Sequence, residues 1–173
     1  MTTIQSTSTF NVEGTLNAWL RAQLATITLP SWLSTLPAIK SSPQEAAASL
    51  PAFSITHLPG GFRDTWQGRA VSSSGGKGLG GYGIMEVDAW VSRASKDWEA
   101  QLRTMQDMVV TLLAATTSMV IKDYAANQTS PADTAYLVRL SEARVATAAP
   151  DPNPDIERRR ILVDYDWVFR ASE

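Results

Sequence analysis

Residues 82–115 read YGIMEVDAWVSRASKDWEAQLRTMQDMVVTLLAA, and a change of period inside this stretch decides the fold. Met85, Val87, Ala89 and Val91 fall on one side of an extended chain while Glu86 and Asp88 fall on the other, the pattern of a strand with one buried face. From Ser95 onward the spacing becomes threes and fours. Trp98, Leu102, Met105, Val109 and Leu112 form a stripe that Met108 and Leu113 widen. The spacing predicts a helix over 95–115 with Ser95 as its cap and with Asp97 and Glu99 in the first turn, where carboxylates meet the positive end of the macrodipole. The stripe lasts about two heptads, too short for a coiled coil, so the helix is expected to pack against a sheet.

Upstream, Leu16, Trp19, Leu20, Gln23, Leu24 and Ile27 predict a helix over 14–29 that Pro30 stops, preceded by a polar segment, 1–13, expected to be flexible. Residues 37–51 carry three prolines and an alanine run, and read as a connection with one short helical turn. Phe53, Ile55 and His57 alternate with Ser54 and Thr56 until Pro59-Gly60-Gly61 ends the strand. A second strand is expected over 65–71, then a glycine-rich hairpin loop over 72–81. Downstream, 119–124, 136–145 and 161–169 are rich in β-branched and aromatic residues, and the last two read as a hairpin around a proline-stiffened loop. The expectation is one α+β domain over 1–173. Its core, 53–170, holds a mixed or antiparallel sheet of about five or six strands packed against two main helices.

The 173 residues are 44% hydrophobic and 18% charged, which is enough apolar side chain for a real core and too little charge for a disordered chain. There is no cysteine, so disulfides, cysteine-based zinc or iron–sulfur sites and a cysteine nucleophile are excluded. Fifteen Lys and Arg against 17 Asp and Glu leave a net charge of −2, which supplies no field to concentrate DNA or an anionic membrane. The longest apolar run, 108–115, falls far short of the roughly 20 residues a bilayer span needs. The first residues are Thr, Ser and Gln where a signal peptide would be basic and then apolar, so a soluble, unexported protein without membrane contact is expected.

Gly76-Lys77-Gly78-Leu79-Gly80-Gly81 has the spelling of a dinucleotide-binding turn, but it precedes a strand instead of leaving one for a helix, and Lys77 is not followed by Ser or Thr as a phosphate loop requires. Gly75, Gly76, Lys77, Gly78, Gly80 and Gly81 are therefore read as a hairpin loop that can order against a partner. Glu86 with Asp88, and Asp164 with Asp166, each project from one face of a strand. On neighbouring strands, the four could hold a divalent cation or, paired across strands with Arg93, Arg139, Arg144 or Arg170, form a solvated ionic face. The ionic face is the preferred reading, and no cofactor or metal is expected. The single histidine, His57, cannot build a histidine triad, and no G-x-S-x-G elbow strains a serine. Arg158, Arg159 and Arg160 form the one basic cluster, blunted by Asp151, Asp155 and Glu157, and read as a candidate interface loop used for intermolecular or cross-loop ion pairing. Trp19 and Trp98 lie on helix stripes. Trp90 falls on the strand face of Glu86 and Asp88, and an aromatic exposed there points to a protein contact.

An N-terminal helix, a strand pair leading into Gly83-Ile84-Met85-Glu86-Val87-Asp88-Ala89-Trp90-Val91, a long helix over 95–115 and a closing Arg160-Ile161-Leu162-Val163-Asp164-Tyr165-Asp166-Trp167-Val168-Phe169-Arg170 strand together resemble the tail terminator, or tail-completion, proteins of long-tailed bacteriophages, the family typified by the lambda minor tail protein U. The resemblance covers 53–170 and lies in the order, length and character of the elements. It implies a non-enzymatic virion subunit that forms a six-membered ring on the last ring of the tail tube, stops its polymerisation and meets the neck proteins. Genome DNA passes the lumen of such a ring without specific binding. Glu86, Asp88, Asp164 and Asp166 are then candidate lumen residues. The competing readings are a tail-tube subunit, a head–tail connector, or a small carboxylate-metal enzyme.

Overall fold

The computed structural model of the chain describes residues 12–33, 37–40, 42–58, 62–65, 78–116, 118–123, 129–130 and 132–169. Along the chain come α1 (Val12–Leu24), β1 (Ala38–Lys40), α2 (Pro43–Ala47), β2 (Ala52–Leu58), β3 (Phe62–Thr65), β4 (Gly78–Ser92), α3 (Trp98–Ala115), β5 (Ser118–Asp123), β6 (Ala132–Ala146) and β7 (Ile156–Phe169). The strands form one mixed sheet in the order β1-β2-β4-β7-β6-β5, with β3 also paired to β4. Among the described residues, β1 and β2 alone pair in parallel. The architecture is α+β, with both long helices on one face of the sheet, and the seven strands among the described residues exceed the expected five or six by the short β1.

The inner face carries the residues that the period-two pattern selects. Phe53, Ile55, Met85, Val87, Ala89, Val91, Ile161 and Val163 are all buried against Leu16, Leu20 and Leu24 of α1 and Leu102, Met105 and Val109 of α3. Strand pairing keeps directly opposite residues on one side, so the register Val87 to Ile161 and Met85 to Val163 continues this apolar surface across β4 and β7. Among the described residues, no helix is long and apolar enough to cross a membrane.

Helix α1 stops at Leu24, five residues before the predicted end. The β-branched run Thr26-Ile27-Thr28 disfavours the helix, and the Thr26 hydroxyl donates to the Gln23 carbonyl at 2.7 Å, closing the last turn. The start of α3 also differs from expectation. Asp97 is the N-cap residue, and Ser95 instead accepts a hydrogen bond from Gln101 Nε2 on its hydroxyl at 2.8 Å and from the Trp98 amide on its carbonyl. Within the stretch read as a connection, Ser42 caps α2 by accepting from the Glu45 amide at 3.3 Å, with Pro43 in the first turn. Of the second predicted strand, 66–71 lies outside the described residues. Pairing instead runs over Phe62–Thr65, opposite Gly78–Gly81 of β4.

Two side chains of α1 reach the two outermost strands. Thr15 Oγ1 accepts from the Lys122 amide of β5 at 2.9 Å, and Arg21 donates to the Ile39 carbonyl of β1 at 2.6 Å. These positions are six residues apart on a helix that rises about 1.5 Å per residue, so the sheet must curl until its two ends lie within reach of one short helix.

Candidate functional site

The four acids read as a candidate site, Glu86, Asp88, Asp164 and Asp166, lie on the outer face of the sheet, turned away from α1 and α3. The register sets Asp88 opposite Arg160, Glu86 opposite Leu162, Ile84 opposite Asp164 and Tyr82 opposite Asp166, so β4 and β7 bring the four acids onto a single surface. What they meet there is arginine. Arg160 grips Asp88 with two hydrogen bonds, Nε to Oδ1 at 2.9 Å and a terminal nitrogen to Oδ2 at 3.1 Å, and lies 3.2 Å from Glu86. Arg158 approaches Asp88 at 3.5 Å, and its guanidinium lies 5.0 Å over the Trp90 ring. Thr56 donates to Glu86 at 3.2 Å from β2. Hydrogen bonding to Asp88 raises the Arg160 pKa further above its ordinary value, with desolvation opposing. Asp88 is only 2% exposed, and its charge is compensated inside the sheet by these arginines.

The second half of the surface is more open. Arg144 of β6 pairs with Asp164, which holds the guanidinium in its charged form. Arg139 stands directly opposite Asp166. Of the other arginines proposed as cross-strand partners, Arg93 binds Glu157 and Arg170 lies outside the described residues.

Three expectations are corrected here. The basic triplet does not lie in a loop: it sits in β7, and strand alternation sends Arg158 and Arg160 to the outer face while Arg159 turns inward to Gln106 of α3 at 3.0 Å. Trp90 is not exposed. It is 1% accessible, donates from Nε1 to Ser54 Oγ at 2.8 Å and packs with Ala46 and Ala52 under α2. Gly78, Gly80 and Gly81 belong to β4, not to a loop, while Gly75, Gly76 and Lys77 lie outside the described residues. At Gly81 a Cβ would stand 2.5 Å from the Trp167 indole, and at Gly83 2.5 Å from the Tyr165 hydroxyl, so these glycines let aromatic rings of β7 lie across the strand.

Sequence reasoning missed Ser54 and Thr56 as partners of this surface and did not place Arg158 and Arg160 on it. A signal was present, because two arginines at i, i+2 on a strand must share a face, but the register that sets them beside Asp88 is a tertiary fact. At its far end the outer face carries Leu58 and Tyr82, each 43% exposed.

His57 points inward. Its Nε2 lies 3.3 Å from Asn17 Oδ1 of α1, its ring meets Tyr165 edge-on, and its Nδ1 is buried with no hydrogen-bond partner among the described residues. Burial pushes its pKa down to about 4, so the imidazole is neutral near pH 7. No nucleophile or carboxylate stands beside it among its described contacts, and the geometry suits packing better than proton transfer. No family model matches the chain, and no curated protein matches it.

Proposed function

We propose that this chain is a structural virion subunit, a tail terminator that closes into a ring, most simply of six copies, on the head-proximal end of a bacteriophage tail tube. The observation that carries the reading is the element order α1, strands, β4, α3, β-hairpin within one sheet, with both long helices on the same face. That order is the one the terminator family leads us to expect, and it leaves the outer face and the β6–β7 hairpin for contacts with neighbours. The acids that a metal enzyme would use carry arginine partners, which favours a structural surface over a hydrolytic centre.

Size and charge suit the role. A compact chain of this length has a radius of gyration of about 16 Å and a width of roughly 40 Å. Six such bodies in contact enclose a hole of about 40 Å, wide enough for duplex DNA. A subunit with a net charge of −2 does not retain a phosphate backbone as a cationic wall would. In this reading the partners are further copies, the tube protein and a neck protein, and the genome passes without specific binding.

Mass in solution, with and without purified tail tubes, and electron microscopy of the mixture test the proposal. Closed six-fold rings seated on tube ends are expected. Open-ended filaments of the chain alone would reassign it as a tube subunit, and a monomer with Mg2+-dependent turnover would overturn the structural reading.

A further inference from the structure

The C-terminal end of α3 and the middle of β6 enclose a groove of about 330 Å³, lined by Val110, Leu113, Ala114, Leu140, Ala143 and Val163 and rimmed by Glu142. Three features give this groove a preferred occupant. Its walls are mainly apolar. The last turn of α3 holds no basic residue, so the negative end of an 18-residue helix has no side-chain cation of its own there. Glu142 is exposed and makes no hydrogen bond or ion pair with another described residue, although its charge contributes to raising the Arg144 pKa. An apolar slot that ends in helix carbonyls and a carboxylate suits a long aliphatic side chain with a cationic tip.

The same chain carries such a side chain at the other end of the same helix. Lys96 is exposed in the turn before α3 and is bonded to no other described residue. Arg93 in that turn is already held by Glu157. Asp97 and Glu99, which follow Lys96, lie where the positive end of α3 offsets them. Because α3 spans about 27 Å, its two ends lie on opposite flanks of the subunit. A contact between them is head-to-tail, the type that closes into a ring when the rotation between copies divides a full turn.

We infer that the groove between α3 and β6 of one copy receives Lys96 of the next, with the methylenes along Leu113 and Leu140 and the ammonium between the α3 C-terminus and Glu142. This rests on the ring reading and names the contact that would build the ring. Lys96→Glu, Glu142→Lys and the double charge swap, made in the full chain, test it by native mass spectrometry and sedimentation with and without tail tubes. Each single reversal is expected to raise the concentration for half-assembly at least tenfold, and the double swap to return it to within about threefold of the parent. Carbodiimide treatment of assembled parent protein should join Lys96 to Glu142 between copies. Both residues are exposed, so the thermal melts of the monomers should not change. If the parent forms rings and the single reversals assemble equally well, or the double swap is as impaired as the worse single variant, the contact is refuted and the ring stands. A parent that never assembles, even with tubes, removes both.

Discussion

Replacing Asp88 with alanine takes the central anion out of the outer-face network while leaving both cations in place. Asp88 is 2% exposed and accepts two bonds from Arg160, and the Arg158 and Arg160 side chains keep only 14% and 23% of their surface in contact with solvent. Removing one partner of a buried ion pair costs about 3–5 kcal/mol, because the surviving charge loses its compensation without regaining full hydration. Here Glu86, 3.2 Å from Arg160, takes up part of that charge, and both guanidinium groups can reach water. The expected loss is therefore about 2–3 kcal/mol. With an m-value of roughly 2 kcal/mol/M for a chain of this size, the urea midpoint should fall by about 1–1.5 M. The companion Asp88→Leu/Arg160→Met should be less damaged than Asp88→Ala, since it removes the stranded charge as well. A midpoint for Asp88→Ala within about 0.3 M of the parent would refute the reasoning, as would strict additivity in the pair.

Further outcomes follow from the inner face. The folded pKa of His57, about 4, lies below its unfolded value near 6.5, so its contribution to stability is complete above pH 6.5 and is lost as pH falls toward 4. By pH 5 the loss should reach about 1–2 kcal/mol after discounting for the accessible part of the ring, and His57→Gln should flatten the difference between urea melts at pH 7 and pH 5. An unchanged slope would show that another group sets it. Gly83→Val places a Cβ 2.5 Å from Tyr165 and should cost at least ~1–3 kcal/mol, read in the thermal midpoint and in the near-ultraviolet signal of the displaced ring.

The parts of the fold legible from sequence are those where a long element buries one face. Met85 to Val91 and Trp98 to Leu113 announced β4 and α3 because each apolar side chain recurs at the period of its own backbone. Strand β1 has three residues beside Pro37, too few to show a period. Trp90 was misread for a different reason: its face carries Asp88 and Glu86, and only the return of α2 over Ala52 turns that end of a polar surface into a small second core. The acidic face itself was readable, as was its preference for arginine. Which arginines supply it depends on the β4–β7 register, which sets Arg160 opposite Asp88 and which a run of three arginines does not encode.

The span of α1 across the sheet has a consequence for synthesis. The helix leaves the ribosome early, yet β5, whose Lys122 amide donates to Thr15, joins the sheet only through β6 and β7, so its place is fixed only when residue 169 has been added, about 150 residues later. At ribosomal rates of about 5–20 residues per second, Leu16, Leu20 and Leu24 wait roughly 7–30 s for the far rim of their native enclosure to exist. A nascent chain stalled within that interval would display an oily stripe to its surroundings, and holdase chaperones should crosslink to those leucines more strongly before residue 169 emerges than after.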